Sequence, residues 1–121
     1  MAGEGLFLGW GEVVRGREQL ALEVFQETIA YYLKLQEEGR IESFEPVLLA
    51  PHGGDLAGFI MLYGEQSSLD SIRSSPEFLR IVARASGVVH NVGVVSAYRG
   101  EALGETMGIF GQVAQGLPQS R

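Results

Sequence analysis

Hydrophobic and polar positions along this chain fall into seven patterned stretches. Leu6 to Val14 alternates as a strand, with Leu6, Leu8 and Trp10 on one face and Phe7, Gly9, Gly11 and Val13 on the other. Glu18 to Glu38 changes to helical spacing. Leu22, Phe25, Ile29, Tyr32 and Leu33 are expected on its buried side, with Ala21 and Thr28 beside them. Gly39 stands where a left-handed residue ends a helix. Ile41 to Ala50 reads as a second strand. It contains Pro46, which has no N–H for a second neighbour, so the strand belongs at a sheet edge. Leu56 to Tyr63 is nearly unbroken apolar sequence and reads as a central strand.

The second half has the same plan. Ser67-Ser68-Leu69-Asp70 has capping-box spacing and predicts a short helical turn. Ser75-Pro76-Glu77 restarts a helix, with serine as cap and proline at the first position. Phe78, Leu79, Ile81, Val82 and Ala85 form its apolar stripe, and Gly87 ends it. His90 to Tyr98 is the fourth strand. Glu101 to Gln115 places Leu103, Met107, Phe110 and Ala114 at helical spacing. Gly104, Gly108 and Gly111 lower its intrinsic helicity, so this segment needs a packing partner, either its own domain or a second subunit.

The order strand, helix, strand, strand, helix, strand predicts one domain of the α+β class. Right-handed crossovers give a ferredoxin-like βαββαβ unit, a four-stranded antiparallel sheet with helices on one face, followed by the C-terminal helix. The strands are apolar on both faces, and the helices can cover only one. A homodimer through the remaining sheet face is the economical remedy. Here the chain resembles the dimeric α/β-barrel superfamily over about Leu6 to Gly100. The resemblance rests on the segment order, the Gly53-Gly54-Asp55-Leu56-Ala57-Gly58-Phe59 hairpin and the Ser75-Pro76-Glu77-Phe78 restart. It implies sheet-paired domains, and a superfamily that holds cofactor-free oxygenases, haem-degrading enzymes and lactone isomerases.

Composition narrows the chemistry. The net charge is −6, and the basic residues are scattered singly, which argues against a nucleic-acid or anionic-membrane footprint. The chain has no cysteine, so it has no disulfide, thiolate nucleophile or cysteine metal site, in keeping with a cytoplasmic location. Its opening, Met1 to Gly5, has no signal-peptide pattern, and no apolar run is long enough to span a bilayer.

Candidate functional residues are few. His52 and His90 are the two groups that titrate near neutrality without help, and each can act as a general base or remain a solvated loop or strand-entry residue. Asp55 follows His52 by three positions, and a loop can bring them together to orient the imidazole. The resemblance implies relatives that use such a His–Asp pair. Trp10, Phe59, Tyr63 and Tyr98 come from three strands and would line an apolar pocket if they share a face. Arg73, Arg80 and Arg84 read as a solvated helix face. No metal-ligand pair surrounds either histidine, and Gly9-Trp10-Gly11 matches no phosphate-binding fingerprint, so no metal or cofactor is expected. Two functions fit: a homodimeric binder of a small organic ligand held between sheet and helices, or a cofactor-independent oxygenase or isomerase. The second would act on a small aromatic or polyketide-like substrate, with a histidine base bordering the main pocket beside Trp10 or Tyr63.

Overall fold

The computed structural model describes residues 4–118. Its elements run β1 (Glu4–Trp10), α1 (Glu18–Glu37), β2 (Ser43–Leu48), β3 (Gly58–Tyr63), α2 (Gln66–Arg73), α3 (Pro76–Ser86), β4 (Gly93–Tyr98) and α4 (Gly100–Gly116). The four strands form one antiparallel sheet in the order β2-β3-β1-β4, which is the ferredoxin-like arrangement. Pro46 lies on edge strand β2, opposite Ile60, where its missing N–H breaks no second ladder. β3 and β1 take the two central places.

Local signals account for most element ends. Gly39 has φ +75°, and its N–H donates to the Gln36 carbonyl as α1 closes. Ser75 caps α3 by accepting from the Phe78 N–H at 3.3 Å, ahead of Pro76. The capping box expected at Ser67 is absent. α2 starts at Gln66, with Glu65 as its cap residue two positions ahead of Ser67, and Asp70 instead accepts from the Gln66 amide at 2.9 Å. Two strand limits also differ. β1 stops at Trp10, because Gly11 and Glu12 turn away to pair with the segment that follows α3. The Gly11 N–H donates to the His90 carbonyl at 2.7 Å, and the His90 N–H to that of Glu12 at 2.8 Å. β4 begins at Gly93, not His90. Asn91 is in the left-handed region at φ 56°, a conformation asparagine tolerates, and it separates His90 from the strand.

Strand pairing sorts the side chains. Leu6, Leu8, Ile60 and Leu62 face the helices and are buried with Tyr32, Leu35, Leu69, Ile72 and Phe78. The face that α1 buries is rotated from the expected one. Val24, Thr28, Tyr32 and Leu35 are buried, Phe25 and Ile29 flank them, and Leu22 and Leu33 are exposed. Apolar residues wrap more than one side of α1, so periodicity alone does not fix its rotation. Thr28 is tolerated inside because its hydroxyl donates to the Val24 carbonyl at 2.7 Å. Glu27 and Arg84 join α1 to α3 at 2.9 and 3.0 Å in a two-pronged, half-exposed ion pair, worth at most about 1 kcal/mol.

Among the described residues, none of α1, α2 and α3 packs on the opposite face of the sheet. Its middle row runs Glu45, Met61, Phe7 and Val95 across all four strands. Phe7 stacks on Phe59 with ring centres 5.3 Å apart and lies over Gly9, whose missing side chain makes room for the ring. α4 leaves the end of β4, and its principal contacts are with that strand. Ala102 is its one buried residue. The helix therefore does not settle across its own domain, and Leu103, Met107, Ile109, Phe110 and Val113 are exposed.

Candidate functional site

Between the sheet and helices α1 and α3 lies a cavity of about 360 Å³, within the size range of small-ligand pockets. Leu8, Trp10 and Ile60 form its floor, Val24, Phe25 and Thr28 one wall, and Ile81, Val82 and Ala85 the other. Small residues on the two helices make the space, Ala21 on α1 and Ala85 on α3. Trp10 is held at one end. Its ring lies over Gly58, where a side-chain carbon would come within 2.7 Å, and it meets Phe25 edge-on at 6.0 Å. Leu22 and Leu48 stand exposed at the rim, and Glu18 is the one charged residue in the lining.

Tyr32 closes the wall next to Thr28. It is fully buried, and its hydroxyl has no hydrogen-bond partner among the described residues. Such a group costs about 1–3 kcal/mol when left unpaired. Burial, and secondarily the neighbouring Tyr31, push its phenol well above the ordinary tyrosine range, so it stays protonated at neutral pH.

The histidines are elsewhere. His52, Asp55 and His90, with Glu12 and Asn91, border a second concavity of about 460 Å³ at the hairpin end of the sheet. The expectation that a histidine base sits beside Trp10 or Tyr63 is corrected: both histidines border this second concavity, which neither Trp10 nor Tyr63 lines. The two hollows back onto each other. Val13, Leu48, Val89 and Val92 line the first, and their chain neighbours Glu12, Leu49, His90 and Asn91 line the second. Asp55 does not orient His52. The His52 Nδ1 lies 3.0 Å from the Ala50 carbonyl oxygen, which can only accept, so Nδ1 carries the proton and Nε2 is the basic atom. That Nε2 rests against Gly54. Both imidazoles are exposed. Among the described residues no three His, Asp or Glu side chains come close enough to hold a metal ion.

The four strand aromatics do not share a face. Trp10 lines the apolar cavity. Phe59 and Tyr63 project from the open face, because Gly58 is paired with Trp10 and alternation carries its neighbours the other way. Tyr98, opposite Glu4, belongs to the helix side at the far end and is half exposed. The aromatic walls of the cavity are instead Phe25 and Tyr32 from α1, which sequence reasoning left in the core. A tyrosine on a buried stripe, with a hydroxyl that needs a partner, is the signal that could have singled out Tyr32. Arg73 is a structural tie, donating to the Val94 carbonyl at 2.9 Å, and Arg80 is exposed.

No protein-family model and no curated relative matches the sequence. Solved structures do. A conserved protein from Methanosarcina mazei Go1 aligns at TM-score 0.63 and 12% identity, over 82% of this chain and 95% of its own. A dimeric ferredoxin-like protein of unknown function from Jannaschia sp. CCS1 aligns at 0.60 and 17%, over 80% and 100%. SnoaB, a cofactor-independent oxygenase from Streptomyces nogalater, aligns at 0.52 and 18%, over 83% and 98%. At these identities the likeness is one of architecture, and with the β2-β3-β1-β4 sheet it establishes that the chain has the ferredoxin-like fold these proteins share.

Proposed function

We propose that this protein is a homodimer that binds a small, mainly apolar organic molecule between its sheet and its helices. The observation that carries this reading is the cavity of about 360 Å³ walled by Trp10, Phe25, Val82 and Ala85. Its lining holds no cation, so an uncharged ligand suits it better than an anion. Pairing through the open sheet face is supported by the uncovered Phe7–Val95 row, and by neighbours described as dimeric. Trp10 is the one tryptophan of the chain and sits in the cavity, so it reports on occupancy directly. Saturable quenching of its fluorescence by 2-acetonaphthone is expected, and loss of that quenching in Ala85→Phe, which fills the cavity. Quenching that never saturates, or that survives Ala85→Phe in a folded protein, sinks the reading.

A second reading has one observation in its favour. His52 and His90 come from distant parts of the chain and border one concavity that shares its dividing segments with the cavity. A cofactor-independent oxygenase or isomerase would use His52 Nε2 or His90 as base on a small aromatic or polyketide-like substrate reaching past Val89 and Leu48. SnoaB, a structural neighbour, is a cofactor-independent oxygenase.

A further inference from the structure

From the exposure and placement of α4 we propose that this helix docks onto a second copy of the chain, and that the dimer is incomplete without it. The inference rests on the homodimer reading above and deepens it. α4 is built as an interior helix. Leu103, Met107, Ile109, Phe110 and Val113 are 47–61% exposed, while Glu101, Glu105 and Gln112 gather at helical spacing on the one polar side. A lone helix with so broad an apolar side is not stable in water unless something covers it.

Three observations name the occupant. First, the root of α4 is fixed to the open face of the sheet. The Arg99 guanidinium lies 3.6 Å from the centre of the Tyr63 ring, and Tyr63 belongs to that face. The root of α4 and the Phe7–Val95 row thus lie on the same side of the sheet. Second, the sizes match. A stable interface takes about 800 Å² from each partner. Five half-exposed side chains of roughly 100 Å² each supply much of that, and the open sheet face supplies the rest. Third, α4 has no lysine or arginine, and its two charges are acidic, on a chain of net charge −6. An anionic lipid surface would repel it. A second copy carries the same net charge, but it offers α4 the uncharged side chains of Met61, Phe7 and Val95, with Glu45 only at the sheet edge.

The three aligned structures are matched over 95–100% of their own length and over 80–83% of this chain, so about a fifth of this chain lies outside the shared fold.

Sedimentation velocity over a concentration series compares the full chain with one ending at Arg99. The full chain is expected to dimerise, and the shortened one to do so at least about tenfold more weakly. A full chain carrying both Met107→Glu and Phe110→Glu should match the shortened one, which covers the case in which the shortened chain folds poorly. An unchanged dimer constant in the double variant overturns the role of α4 and leaves the homodimer reading standing. A full chain that stays monomeric, or that floats with phosphatidylcholine vesicles as a monomer, overturns both. Contact with the partner has its own readout. The chain has no cysteine, so Met107→Cys takes a single nitroxide label. In mixed dimers of labelled and ¹⁵N subunits, amides of the ¹⁵N partner should broaden, and broadening confined to the labelled subunit overturns the proposal.

Discussion

Met61 and Leu62 are chain neighbours on β3, and they meet different surroundings. Leu62 points at α1 and α2 and is fully buried, packed into the cluster with Tyr32, Leu35 and Ile72. Met61 points the other way, between Glu45 and Phe7, on the face away from α1, α2 and α3. The same contrast runs along the whole sheet, from Leu8 against Phe7 to Val94 against Val95. Both sides carry large apolar residues, so their presence alone does not decide which becomes core. The covered side gains from the helices joined to it in the same chain, at no association cost. The open side can gain only from another molecule, and its contribution depends on protein concentration.

The comparison can be broken at its strongest point. Leu62→Ala should cost 2–5 kcal/mol, the range for a large-to-small change in a closed core, and chemical denaturation would read it directly. Val95→Ala, on a residue 54% exposed, should change the unfolding of the isolated subunit by less than about 1 kcal/mol. Two equal losses would mean that the open face is as much core as the covered one.

A subtler test lies within the covered side. Tyr32 has an unpaired buried hydroxyl, so Tyr32→Phe should leave stability at pH 7 unchanged or raise it by up to about 1 kcal/mol. The pH dependence has a definite sign. The phenol is raised in the folded protein, so its contribution is complete below the unfolded tyrosine value of about 10 and is lost as the pH climbs above it. Alkaline unfolding followed by circular dichroism should therefore shift to higher pH in Tyr32→Phe. A marked loss of stability at pH 7 would instead show that the hydroxyl has a partner.

The smallest effect belongs to the uncovered side. A side-chain carbon at Gly108 meets open space, and this position borders the polar side of α4 rather than its apolar one. Gly108→Ala should raise the stability of α4 by less than about 1 kcal/mol and leave dimerisation untouched. A weakened dimer would move the contact from Met107 and Phe110 to the glycine side.

Local physics made much of the fold legible in the sequence. Pro46 marked an edge strand because it lacks an N–H, Ser75-Pro76 opened a helix because a serine oxygen and a fixed φ suit its first turn, and Gly39 ended one because it accepts a left-handed backbone. The order of the segments then fixed the ferredoxin-like sheet, and apolar residues on both strand faces announced a side left uncovered. What tertiary structure alone decided depends on pairs of residues far apart. The rotation of α1 was open because its apolar residues fit more than one stripe. The strand aromatics separated because the pairing of Trp10 with Gly58 sends Phe59 and Tyr63 to the far face, and a period of two turns any change of register into a change of side. His52 and His90 border one concavity, away from Trp10, and the pairing of Gly11 with a loop nearly eighty residues on places His90 there. The cavity exists where small residues of two helices, Ala21 and Ala85, come together over one face of the sheet. That is a coincidence of rotation and spacing which no single segment encodes, because it is fixed only when all the segments pack.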